Sequence, residues 1–415
     1  MLYELKTPEI MSPAGSKEAM MAAIQGGAHS IYFGVEQLNM RARQTNNFLV
    51  SDLEEVAKLC ASHQVKTYIT LNTIIYDHDL SLMRRIVDQA KEAGITAVIA
   101  SDQAVMNYCR KSGMPLHIST QTNITNIETV EFYSAFADVV VMSRELTLRQ
   151  VAEIVREIKR RNITGPSGEL IRVEIFAHGA LCMAVSGKCY LSLHSHNASA
   201  NRGACIQNCR RTYVVTDKEE GYELEIDNEY IMSAKDLCTI DFLDQVVAAG
   251  IGVLKIEGRG RAPEYVYHTT KCYREAVEAL ADGTYNETKI ADWKERLAKV
   301  YNRGFWDGYY LGRQMGEWSN HHGSAATEKK VYLGKGVKYF DRAGVGEFLI
   351  ENHEIRIGDR LMITGPTTGY HEFVANEIRS DDGHAIESAT GGTTISIPVE
   401  IKIRNSDKLY KIVSA

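Results

Sequence analysis

The chain has 415 residues, 44% of them hydrophobic and 24% charged, with a formal net charge of -6. This is ordinary globular composition, which excludes a disordered or low-complexity chain, and the length asks for two domains or one large barrel with an appendage. The acidic balance excludes a global attraction to phosphate, so contact with nucleic acid requires a local basic patch.

Met1 to Pro8 carries Glu4 and Lys6 in place of a basic segment followed by an apolar run, and no window has the apolar length that spans a bilayer. The expectation is a soluble, cytoplasmic protein without membrane contact, whose eight cysteines stay reduced. From residue 8 onward, apolar runs alternate with amphipathic helical stretches: EIMSPAG then SKEAMMAAIQGG, SIYFG then VSDLEEVAKLCASH, KTYITLN then DLSLMRRIVDQAKEAG, AVIASD then QAVMNYCRKSG. PLHIST, VVVMSRE, RVEIFAHG and GVLKIEGR continue the series, each with its helix. Eight strands in repeated β–α order predict an α/β fold, a (β/α)8 TIM-like barrel over residues 1–314, with a doubly wound open sheet as the alternative. Cys60, Cys109 and Cys272 stand alone in helical segments, where a thiol serves as a small buried hydrophobe.

Strand alternation assigns faces, since residues two apart share a side. On strand three it sends Asn72 toward the barrel axis, and on strand five Ser119 and Gln121, with His117 deeper. On strand seven, Val173, Ile175 and Ala177 suit the helix-facing side, which sends Glu174, Phe176 and His178 inward. On strand eight, Leu254 and Ile256 face out, leaving Lys255, Glu257 and Arg259 inside. Buried charges must pair, bind a ligand or stay wet, so these residues form either a structural ion-pair network or a catalytic set. His178 and Arg259 lie at C-terminal strand ends, where barrel enzymes place their chemistry. Asn72, Ser119 and Gln121 complete a pocket suited to a small anionic or polar metabolite.

Between strands seven and eight, residues 180–249 form an insertion far longer than a βα connection, and it holds five of the eight cysteines. Four of them, Cys182, Cys189, Cys205 and Cys209, read Cys-x6-Cys-x15-Cys-x3-Cys. Four thiolates suit a soft metal, either as a tetrahedral sulfur set or around a cluster. Structural zinc prefers Cys-x2–4-Cys pairs, and only the second pair conforms, which favours a cluster. Packed thiols and a redox-active Cys-x3-Cys pair are the competing readings. Cys238 is an alternative fourth ligand, although its place before a helical run suits packing. The segment begins four residues after His178, so metal and pocket are expected to form one site.

Residues 315–330, rich in Gly, Asn and His, read as a linker, and the alternating strands of residues 331–415 as a small all-β barrel. HExxH, GxSxG, Walker and dinucleotide-binding patterns are absent. Ser12-Pro13-Ala14-Gly15 reads as a tight βα turn. Arg202, Arg210, Arg211, Arg259 and Arg261 form a candidate basic patch for RNA phosphates, against a solvated-surface alternative.

The segments SPAGSKEAMMAAIQGGAHSIYFG, MSRELTL, EIFAHGALCMAVSGKCYLS, NRGACIQNCRRTY and KIEGR resemble the collagenase-like peptidase family U32, over about Pro8 to Arg313. That family includes proteins described as collagenases and bacterial RNA hydroxylation proteins, and the motif pattern is most similar to the tRNA type. The resemblance implies an iron–sulfur cluster, of the 4Fe-4S kind, on Cys182, Cys189, Cys205 and Cys209. It also implies dependence on iron–sulfur assembly machinery and on prephenate, an anionic metabolite. Relatives in ubiquinone synthesis take the fourth cysteine from farther downstream, which keeps Cys238 open. The tRNA hydroxylases carry a long insertion after the cysteine motif that this chain lacks. The expected function is hydroxylation of an RNA pyrimidine, the wobble uridine of tRNA becoming 5-hydroxyuridine. Proteolysis is the alternative, and a non-catalytic, metal-stabilised RNA-binding protein the third reading. Four thiolates close a metal's coordination sphere, which counts against a metalloprotease.

Overall fold

The computed structural model describes residues 7–43, 47–221, 223–224, 232–312, 316–320 and 323–415. Met1 to Lys6, Arg313 and the expected domain boundary at Gln314 and Met315 lie outside the described residues.

Seven strands, β1 (Glu9–Pro13), β2 (Ser30–Phe33), β3 (Lys66–Leu71), β4 (Ala97–Ala100), β5 (Leu116–Ile118), β6 (Val139–Val141) and β7 (Arg172–Ala180), pair in parallel, each with the next. An eighth, Val253–Ile256, pairs in parallel with both β7 and β1 and closes the ring. The sheet is therefore a closed (β/α)8 barrel and not the doubly wound alternative. Its helices begin where the sequence supplies caps: the side chains of Ser16, Asp102, Asn126 and Thr147 each accept a first-turn backbone N–H. Cys60, Cys109 and Cys272 are buried in the barrel's helices, and burial pushes each thiol up to about 12, as packing residues require.

The barrel axis is filled by Met11, Tyr32, Tyr68, Ala97, Ile99, Val139 and Val253. Beneath them a polar plug closes the N-terminal end, where Glu9 meets Lys66 at 3.1 Å and Arg172 at 3.0 Å and accepts from the Tyr68 hydroxyl at 2.6 Å. Beyond the barrel the chain returns to β7: Asp236–Cys238 pairs antiparallel with its last residues, and Phe305–Trp306 pairs with Asp236 and Leu237. The 180–249 insertion is thus anchored at both ends, and the short helix Leu243–Ala248 completes the seventh βα unit.

The C-terminal region is an eight-stranded antiparallel sheet around Leu333, Phe348, Ile363, Ile395 and Leu409. Its first strand, Glu328–Phe340, starts inside the expected linker, and Ser319 donates its backbone N–H to the Ser233 carbonyl at 2.7 Å, which ties this stretch to the barrel. The sheet docks on the barrel's helices through Lys330–Glu264 at 2.7 Å and a 2.9 Å bond from the Tyr370 backbone N–H to the Gln25 side-chain Oε1.

Candidate active site

The βα loops at the C-terminal ends of the strands enclose a cavity of about 270 Å³. Cys182, Cys189, Cys205 and Cys209 all line it, together with Asn72, Ser119, Gln121, Lys255, Glu257 and Arg259. The cysteine segment is held over the mouth by backbone contacts. Asn123 donates to the Ser186 carbonyl at 3.1 Å, and the Ile74 N–H donates to the Asn201 carbonyl at 3.2 Å. Arg202 binds Asp79 at 2.5 Å while lying 4.3 Å over the Tyr76 ring. Gly203 has φ +82, and a Cβ there would sit 2.4 Å from the Asn39 carbonyl, so only glycine lets the Cys205 turn pack this closely.

None of the four thiols is in a disulfide. Burial pushes the Cys209 thiol up, the nearby sulfurs of Cys182, Cys205 and Cys189 add to this, and Arg210 opposes it. A cluster of thiols that cannot all ionise alone is a donor set that a cation stabilises. Among the described residues, no three His, Cys, Asp or Glu side chains are grouped as they would be for a single ion. Cys238 lies elsewhere: it is buried 4.0 Å from the Tyr273 hydroxyl, and burial pushes its thiol up to about 12. That placement favours Cys209 over Cys238 as the fourth thiol of the group.

The cavity is strongly cationic. Arg41, Arg144, Lys255, Arg259, Arg261 and Arg303 line it beside Arg210, and among the described lining residues Glu257 is the one carboxylate. Glu257 is fully committed, to Arg41 at 2.8 Å and to the Tyr32 hydroxyl at 3.0 Å. Burial alone would push its carboxyl up, but the charges of Arg41, Arg144 and Arg259 outweigh this and hold it down at about 2. Arg259 is buried and donates to Asn39 at 3.1 Å and Thr70 at 2.9 Å, both neutral, and burial lowers it to about 10. Arg144 lies over the Phe176 ring at 4.4 Å, and its Nε is buried without a partner among the described residues. Arg261 stacks 3.5 Å from the Tyr301 ring centre. Such a bay, lined by cations with few compensating carboxylates, suits an anion.

Glu174 lies one layer below the cavity, fully buried and paired with Lys255 at 2.8 Å. Burial, stronger than the pull of Lys255, pushes its carboxyl up. His178 departs from the inward position that alternation assigned it. Lys255 pairs with Phe176 but Ile256 with His178, so β7 carries one extra residue, Ala177, as a bulge. The bulge reverses the facing, and His178 packs against Tyr265, Tyr273 and Phe305 outside the barrel axis. Burial lowers it to about 3, so it is neutral and does not line the cavity. Of the expected basic patch, only Arg211 is exposed, while Arg202 and Arg210 brace the loop and Arg259 and Arg261 face the cavity.

Arg41, Arg144 and Arg303 were not among the candidates from sequence. Arg144 lies three residues past the end of β6, in the segment VVVMSRE, and the rule that chemistry sits at strand ends applies to it equally. Arg41 follows β2 in a loop, and Arg303 comes from beyond the barrel, where alternation gives no signal.

The family model for peptidase family U32 matches residues 15–320. A Porphyromonas gingivalis protein named collagenase is 58% identical over 97% of both chains. A Bacillus subtilis protein named tRNA hydroxylation protein P1 is 27% identical over 98% of this chain and 93% of its own. An Escherichia coli protein named tRNA hydroxylation protein P is 29% identical over 94% of each.

Proposed function

Because the chain belongs to peptidase family U32, whose relatives are named either as peptidases or as tRNA hydroxylation proteins, we propose that it is an iron–sulfur enzyme that hydroxylates an RNA pyrimidine, the tRNA wobble uridine. The observation that carries this reading is the convergence of four free thiols on one cationic cavity. A cluster held by Cys182, Cys189, Cys205 and Cys209 would supply one-electron redox chemistry at the cavity wall. Lys255, Arg259 and Arg144 would hold a small carboxylate metabolite such as prephenate beside the cysteine segment. Iron–sulfur assembly machinery would load the thiols.

The cavity carries hydroxyls and thiols, but hydrolysis of a peptide bond also needs a general base beside the nucleophile. Glu257 is held at about 2 by its arginines, and His178 lies outside. The name of the Porphyromonas gingivalis relative favours the peptidase reading all the same. Deletion of the gene followed by mass spectrometry of digested tRNA separates the two. Loss of 5-hydroxyuridine-type nucleosides supports hydroxylation. An unchanged profile, with gelatin cleavage by the anaerobically purified protein, replaces it with proteolysis.

A further inference from the structure

A second chamber, of about 300 Å³, opens beside the cationic cavity. Met40, Asn72, Gln121, Gly187 and Asn201 line both, so they form a partition between the two. The chambers differ in charge. The only ionisable groups lining the second one, among the described residues, are Asp102, Lys188 and the phenol of Tyr133. Asp102 is already engaged, accepting from the Ala104 N–H at 2.8 Å and the Ile75 N–H at 2.9 Å. With the Lys188 cation balancing the Asp102 carboxylate, the lining has no net charge and is bounded by the amides of Asn72, Gln103, Gln121 and Asn201.

Two of those amides have hydrogen-bonding capacity left over. The Gln121 carbonyl oxygen accepts from the Ser119 hydroxyl and from the Asn72 amide at 3.4 Å, which leaves the Gln121 NH2 to donate elsewhere. Gly187 fixes this side chain from above: its φ is +72, and a Cβ there would come 3.2 Å from Gln121 Cγ. The Asn201 side-chain oxygen is buried and has no hydrogen-bond partner among the described residues. An unmet buried acceptor is destabilising, and a ligand N–H would satisfy it.

We infer that this chamber is the subsite for the uracil ring of an unpaired RNA nucleotide, with Asn201 and Gln121 reading its edge. The inference rests on the pyrimidine-hydroxylase reading of the adjoining cavity. Uracil presents an N3–H between two carbonyl oxygens, which matches the Asn201 acceptor and the Gln121 donor. Cytosine lacks the N3–H and places an amine where uracil has O4, so both contacts fail. Tyr133 adds aromatic surface to the lining, as sites for unstacked bases commonly do. The division of charge then has a purpose: the neutral ring sits in one chamber, the anion in the next, and the Asn72–Gln121 partition keeps them apart.

The test measures binding of the full-length protein to a short single-stranded RNA with one central U, and to the same RNA with C, by fluorescence anisotropy. Wild type is expected to prefer U by about tenfold, the discrimination of one good base-edge pair. Asn201→Ala is expected to abolish the preference. Gln121→Glu, nearly isosteric, exchanges the donor for an acceptor and is expected to shift the preference toward C, which a misfolded variant would not do. Equal affinity for U and C in wild type overturns the subsite, as does a U preference that survives both substitutions; loss of preference without U/C reversal in Gln121→Glu overturns the assigned role of Gln121. Nucleoside analysis of the wild-type reaction is read separately. A U preference without hydroxynucleoside product supports the subsite and removes the hydroxylase reading. Product without U preference removes the subsite alone.

Discussion

Arg210 reaches from the residue after Cys209 to the carbonyl of Leu181, the residue before Cys182, and donates to it at 2.5 Å. The same guanidinium donates to the Ala234 carbonyl at 2.6 Å and the Ser233 hydroxyl at 3.1 Å. It therefore fixes the first and last thiols of the motif to each other and to the end of β7. Supports of this kind around a metal site are worth about 10–100-fold in metal affinity. Arg210→Gln is expected to lose iron to a chelator at least about tenfold faster than wild type, measured anaerobically by absorbance. Iron loss at the wild-type rate would remove Arg210 from the site.

Cys209 and Cys238 are separated by position. Cys209 lines the cavity with the other three thiols, whereas Cys238 packs against Tyr273. Cys209→Ala is expected to abolish iron and sulfide binding in anaerobically purified protein. Cys238→Ala is expected to keep both and to lose about 1 kcal/mol of stability in urea titration, as a small cavity does. The reverse pattern would make Cys238 the ligand.

The strand faces show where sequence reasoning stops. Lys255 sits in its strand and Asn72, Ser119 and Glu257 directly follow theirs, so period-two alternation placed them at the cavity. Gln121, in a 3-10 turn, and Arg259 lie beyond the strand ends and reach it through the path of their loops. Alternation misplaced His178 because one extra residue in β7 reverses every later side chain, and a bulge leaves no mark in composition. The thiol spacing and the arginines Arg210, Arg259 and Arg261 were visible; Arg41, Arg144 and Arg303 were not. Arg41 and Arg303 reach the cavity from loops whose path depends on tertiary packing.

Acid sensitivity should begin with histidines, ahead of the carboxylates. Burial lowers His117 to about 3, His178 to about 3 and His268 to about 4. The unfolded chain takes up these protons near 6.5 and the folded chain does not, so stability is full above 6.5 and falls as pH drops toward 4. Each histidine contributes at most about 1.4 kcal/mol per pH unit. Glu9 and Glu257, both held at about 2, add a further loss only below 4.5. Urea midpoints measured between pH 7 and 5 are expected to decline, and His117→Phe to flatten the slope by one histidine's share. A flat wild-type profile over that range would contradict the buried, neutral histidines.

Lys255 and Glu174 permit a test of whether the barrel charges serve the ligand or only fill space. The pair is buried, at 2.8 Å, and Glu174 Oε2 has no hydrogen-bond partner among the described residues. Removing either partner leaves an uncompensated buried charge, so Lys255→Met and Glu174→Gln are each expected to cost about 3–5 kcal/mol. The double variant removes both charges and is expected to recover most of that loss. Its activity then decides the role of Lys255, because instability no longer confounds the measurement. Lys255 lines the cavity and lies 4.6 Å over the Tyr32 ring, on the face an anion would approach. A stable double variant with at least about tenfold lower kcat/KM for RNA hydroxylation would place Lys255 on the ligand, since a single ionic contact is worth at least that factor. Wild-type kcat/KM in a stable double variant would reduce the pair to a structural plug.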